Sequence, residues 1–156
     1  MRLTRYTDFA LRTLIYLGLS DPRQASIAEI SRAYGISESH LTKVVHRLGL
    51  LGLVQTTRGR SGGLRLAQPP EQIIIGQVVR QTEEDLALVE CFGGSDCTIT
   101  QACQLKNAMG EALAAFFAVL DRYTLADLLG SGEGRETAHL LGIFLPPSHE
   151  ADCSDS

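Results

Sequence analysis

No stretch of this sequence reaches the ~18 consecutive apolar residues of a membrane-spanning helix, which argues against such a span. Nothing reads as a secretory leader either. The apolar segment FALRTLIYLGLS is interrupted by Arg12 and lacks a small-residue cleavage site after it. The expected location is cytoplasmic. The four histidines are scattered, and no nucleophile–base arrangement is visible, so the chain does not read as an enzyme. The glycine-rich GRSGG lacks the lysine and Ser/Thr of a phosphate-cradling P-loop. Cysteine is scarce, with four in 156 residues, yet three of them fall within thirteen positions.

What is present bounds the fold. The length suits about one domain with an appended element, and 44% apolar residues suffice for a real core. The net charge of −4 hides a split: residues 1–66 carry +6 and residues 67–156 carry −10. A basic first half on an acidic chain suggests a local anionic partner, nucleic acid first.

The basic half has a readable order. Residues 4–19 form an amphipathic helix with Thr4 as cap and Tyr6, Phe9, Ala10, Leu14, Ile15 and Leu17 on its apolar side. In SIAEISRAYG, Ser26 and Glu29 make a capping box and Gly35 ends a short helix. Ser37 then caps a helix whose Leu41, Val44, Val45, Leu48 and Leu51 share one face. Ser39, His40, Lys43 and Arg47 lie off that face, where a recognition helix presents donors to a major groove. LVQTTRGRSGGLRLA reads as two strands around a glycine tip crowned by Arg58 and Arg60. Arginines there suit a narrow minor groove. The expected fold is mainly α with a small β-hairpin wing: a winged helix-turn-helix over 1–68.

Residues 69–104 hold a connecting helix, IIIGQVVRQTE, with Ile74, Val78 and Val79 inward, and the cysteine segment CFGGSDCTITQAC. From 105 to 129 one long helical pattern carries Leu105, Met109, Ala112, Leu113, Phe116, Leu120 and Tyr123. At roughly 24 residues it would span ~36 Å, too long for so small a domain to cover, so it is expected to pack on a second copy. Residues 130–156, containing Cys153, read as a disordered tail.

Cys91, Cys97 and Cys103 have five residues between each pair and sit in loop composition. In a reducing compartment that points to metal or redox chemistry. The spacing is not the short pairing usual in zinc fingers, and it does not choose between zinc and an iron–sulfur cluster. The count stops at three and Lys106, not a histidine, follows, so a fourth ligand comes from elsewhere or from solvent.

The start MRLTRYTDFALR, the capped helix-turn-helix, the wing RGRSGGLRLA, the three cysteines and YTLADLL together resemble the bacterial iron–sulfur winged-helix repressors. The likeness covers residues 1–129 and is strongest to the nitric-oxide-sensing branch. The cluster-assembly regulators carry a histidine where Lys106 stands. The resemblance implies a homodimer on a pseudo-palindromic double-stranded DNA operator. It implies an iron–sulfur cluster, 4Fe–4S rather than 2Fe–2S, held by Cys91, Cys97, Cys103 and Asp8 of the partner subunit, with Arg12 near that carboxylate. It implies that nitric oxide attacks the cluster, releases DNA and derepresses detoxification genes. Two other readings stand beside it: a zinc-bearing winged-helix structural or adaptor protein, and a metal-free thiol redox switch.

Overall fold

The computed structural model describes residues 2–57, 59, 62–88, 103–130 and 133–143. Helix α1 (Arg5–Ser20) runs through the middle of the molecule. Thr4 caps it, its hydroxyl accepting from the Thr7 N–H. Its buried side is wider than an amphipathic stripe, because helices on several sides and strand β2 pack against it. Thr7 and Thr13 are buried with Ala10, Leu14 and Leu17. Thr13 tolerates burial because its hydroxyl donates to the Phe9 carbonyl at 2.7 Å.

Helix α2 (Ile27–Tyr34) opens on the Ser26–Glu29 capping box and closes on Gly35, whose φ of 65° is left-handed. Helix α3 (Glu38–Leu50) follows, burying Leu41, Val44, Val45 and Leu48 against α1 and α2. Strands β1 (Val54–Thr57) and β2 (Gly63–Leu66) pair antiparallel with Val54 opposite Leu66 and Thr57 opposite Gly63. Ala25 exchanges two backbone hydrogen bonds with Leu64, at 3.0 and 2.7 Å, tying the hairpin to the entry of α2. The expected fold class holds: a mainly helical chain with a two-stranded wing.

A 3₁₀ turn (Pro70–Gln72) leads into α4 (Ile75–Thr82), which buries Ile75, Val78, Val79 and Thr82. Ile74, expected inward, is half-buried and bridges Thr124. The single helix expected over 105–129 is two helices. Helix α5 (Gln104–Leu120) stops, and α6 (Leu125–Leu129) begins on its own capping box, Thr124 with Asp127. The break is a tertiary effect. The Ile75 N–H donates to the Tyr123 carbonyl at 2.9 Å and the Leu125 N–H to the Ile73 carbonyl at 2.8 Å. A continuous helix would forfeit both.

The tail expectation is also corrected in part. Helix α7 (Glu133–Leu140) follows α6, and Ala138 and Ile143 enter the core. Cys153 and the rest of that segment beyond residue 143 lie outside the described residues. Among the described residues no helix is long and apolar enough to cross a membrane.

Candidate nucleic-acid interface and cysteine segment

Helix α3 turns Leu41, Val44, Val45 and Leu48 inward, which leaves Ser39, His40, Lys43 and Arg47 exposed. Ser37 stands at the N-cap but makes no side-chain bond to the helix backbone. Its hydroxyl instead lies 2.7 Å from His40 Nδ1 and 3.3 Å from the Ser39 hydroxyl. The His40 ring rests near Phe9 of α1, with centroids 6.1 Å apart. Tyr6 donates its hydroxyl to the Lys43 carbonyl at 3.3 Å. Burial raises the Tyr6 phenol, with Arg47 opposing and Glu84 adding to the shift. The start of α3 is therefore held by α1.

Of the four polar residues of α3, Arg47 also contacts a neighbouring helix. Arg47 donates from Nη2 to the Gln81 carbonyl in the last turn of α4, at 3.4 Å. It reaches the negative end of that helix. A cleft of about 470 Å³ separates the starts of α1 and α3, lined by Arg5, Tyr6, Phe9, Ser37, His40 and Lys43. Arg5 was not singled out by the sequence reading. It sits in the first turn of α1, and only the cleft brings it beside Lys43. On the wing, Arg65 donates from Nε and Nη2 to Gln55 Oε1 at 3.1 and 2.9 Å, keeping a cation on the exposed hairpin face. Arg58 and Arg60 lie outside the described residues, between which Gly59 takes a φ of 119°.

Asp8, in the first turn of α1, is half-exposed, and Arg12 donates from Nε to its Oδ1 at 3.0 Å. The Arg12 guanidinium also lies 5.7 Å from the Tyr34 ring centroid. Burial pushes the Tyr34 phenol up to about 12, with Arg12 opposing the shift. Cys103 is the N-cap of α5 and carries a free, half-buried thiol. Cys91 and Cys97 lie outside the described residues. Among the described residues, no three His, Cys, Asp or Glu side chains gather to hold a metal.

The stem that enters the cysteine segment is anchored. The Thr4 N–H and hydroxyl both donate to Glu83 Oε1, at 2.7 and 3.1 Å. The Ala87 N–H donates to Asp85 Oδ1 at 2.7 Å. Leu86 and Leu88 then line a small cleft with Leu3, just before α1, and with Leu113 and Phe116 of α5. Glu83 carried no mark in the sequence beyond a place in an acidic stretch. Helix α5 buries only Phe117, while Leu105 and Val119 remain 58% and 45% exposed.

A family model described as Rrf2, iron-dependent transcriptional regulator, matches residues 3–131. The chain belongs to the Rrf2 family. It is 54% identical over 132 residues to the HTH-type transcriptional regulator NsrR of Geobacillus kaustophilus, covering 83% of this chain and 90% of that protein. It is 52% identical over 136 residues to NsrR of Bacillus subtilis, covering 85% and 93%. Among solved structures, IscR of T. potens superposes with a TM-score of 0.69 at 26% identity, covering 87% of this chain and 91% of that one. The chain is accordingly a transcriptional regulator of the Rrf2 family, with that family's winged-helix fold, and not an enzyme.

Proposed function

We propose that this Rrf2 regulator is a homodimeric repressor that senses nitric oxide through an iron–sulfur cluster of the 4Fe–4S type. Cys91, Cys97 and Cys103 would hold the group, with Asp8 of the partner subunit as fourth ligand. The observation that carries the reading is the position of Cys103. Its free thiol opens α5, a helix that buries only Phe117 and leaves Leu105 and Val119 exposed. A ligand set ending there is continuous with the surface a second copy would cover. The donors suit the group: soft thiolates bind iron–sulfur clusters, and a half-exposed carboxylate on α1 can be reached from outside its own chain. When bound, the cluster supplies iron that reacts with nitric oxide.

The chain's own residues give that chemistry a route to DNA. Asp8 lies between Tyr6 and Phe9, which hold the backbone of Lys43 and the ring of His40. A change at Asp8 that shifts α1 thus shifts the start of α3. Two recognition helices must match half-sites about one helical turn apart, so a small displacement in each weakens the pair. Lys43, Ser39 and His40 would meet the major groove, and Arg58 and Arg60 would make the wing contact. Arg47 would contact phosphate through the guanidinium N–H groups that its Nη2 bond to Gln81 leaves over.

The test is the iron and acid-labile sulfide content per chain of protein purified without oxygen. About four of each is the expected result. Zinc without sulfide would reject the sensing mechanism and favour the structural zinc reading. Neither metal nor sulfide would favour the thiol switch.

A further inference from the structure

The first turn of α3 holds one residue more firmly than a solvated histidine requires. His40 is exposed, yet its ring is fixed on two sides. Phe9 of α1 meets it at 6.1 Å between centroids with a 50° tilt, within the range of favourable aromatic pairs. Ser37 Oγ lies 2.7 Å from Nδ1. Ser39 Oγ lies 3.3 Å from Ser37 Oγ. Ser37 can donate to Nδ1 in one imidazole tautomer and accept from it in the other, and the contact is built on the first. A neutral imidazole that accepts at Nδ1 carries its proton on Nε2. In that tautomer Nε2–H is a donor on an exposed side chain in the first turn of α3, the part of a recognition helix that enters the major groove.

We propose that His40 reads a purine N7 through Nε2–H, and that Phe9 is the positioning residue that holds the ring for this contact. The inference rests on the DNA-binding reading above. Purine N7 is an acceptor on the major-groove edge of both guanine and adenine. A single donor at this position therefore separates purine from pyrimidine at one step of each half-site. It also gives α1 a direct hold on base reading, because Phe9 belongs to α1 and follows Asp8 in the chain. A shift of α1 removes the ring support even where α3 keeps its place.

The experiment uses the full chain purified without oxygen. A randomised duplex pool is selected on it, and the winning duplex is remade with 7-deazapurine at each purine in turn. Wild type should lose about tenfold in affinity at one purine per half-site, as expected for a lost base contact. His40→Ala should bind more weakly and show no loss at that position. Phe9→Leu, which keeps an apolar side chain against the core, should show a reduced loss there with an unchanged salt slope. If wild type tolerates 7-deazapurine at every position, or if His40→Ala retains the loss, the N7 contact is wrong. Full retention of the loss in Phe9→Leu overturns the positioning role. If the pool yields no preferred duplex at all, the DNA-binding reading itself fails and this contact with it.

Discussion

Arg80 places Nη1 and Nη2 on the two carboxylate oxygens of Asp121, both at 2.7 Å. Its guanidinium also lies 4.1 Å from the Phe117 ring centroid. One arginine thus fastens α4 to the end of α5, and α5 to the body that carries the recognition helix. Hydrogen bonding from Arg80 holds the Asp121 carboxyl below the ordinary carboxylate range. A carboxyl depressed in the folded state contributes stability above its unfolded pKa, and loses it as pH falls through the folded value. Melting temperature measured against pH should show wild type above Asp121→Asn at neutral pH. The two curves should converge below about pH 4, the ordinary carboxylate range. A difference independent of pH would mean that the ion pair contributes nothing to it.

Gly76 sits beneath this pair. A Cβ there would overlap the Asp121 carboxylate, which Arg80 keeps from swinging away. Gly76→Ala should therefore destabilise the fold by about 1–3 kcal/mol, the usual cost of overpacking. Gly76→Ala combined with Asp121→Ala should lose less than the sum of the two single changes, since the closest overlap goes with the carboxylate and only the tight approach to the Asp121 backbone N remains. Denaturant titration of the four proteins measures the coupling. Strict additivity would show that the two residues do not meet.

Cys97→Ala should remove iron and sulfide while leaving circular dichroism and the mass in solution unchanged, if the cysteine is a ligand and not a structural residue. Asp8→Ala should cost little stability in the cluster-free chain, because an exposed ion pair such as Asp8–Arg12 is worth at most about 1 kcal/mol. Its effect should instead appear as faster loss of iron. Equal iron retention in Asp8→Ala and wild type would remove Asp8 from the ligand set.

Arg60→Ala should weaken DNA binding and flatten the salt dependence by about one unit of slope, the signature of one lost phosphate contact. The readout is affinity at several salt concentrations on one duplex. An unchanged slope would place the wing tip away from DNA.

Much of the DNA-binding half was legible because its signals are local. Ser26 and Glu29 satisfy each other three residues apart, and Gly35 needs only its own backbone freedom, so the α2–α3 turn is written in ten residues. The wing follows from alternation and glycine. The second half resisted for the opposite reason. Helical periodicity runs on through Leu120 and Tyr123, and only pairing with Ile73 and Ile75, some fifty residues earlier, ends α5. Helix α7 is polar for most of its length and packs chiefly through Ala138, with Ile143 just beyond it, so composition alone suggested a tail. Side-chain direction was likewise invisible. Arg47 has the same spacing as any groove-facing cation, and only the fold shows it turned to Gln81. The anchoring role of Glu83 depends on Thr4, which is distant in sequence and adjacent only in the fold.

The most direct test of the account is DNA binding by the cluster-loaded chain under anaerobic conditions, before and after nitric oxide is added, on the selected duplex. Binding should be lost as the cluster's visible absorbance is bleached. Full retention of binding after complete bleaching would contradict the claim that nitric oxide reaches DNA through this site.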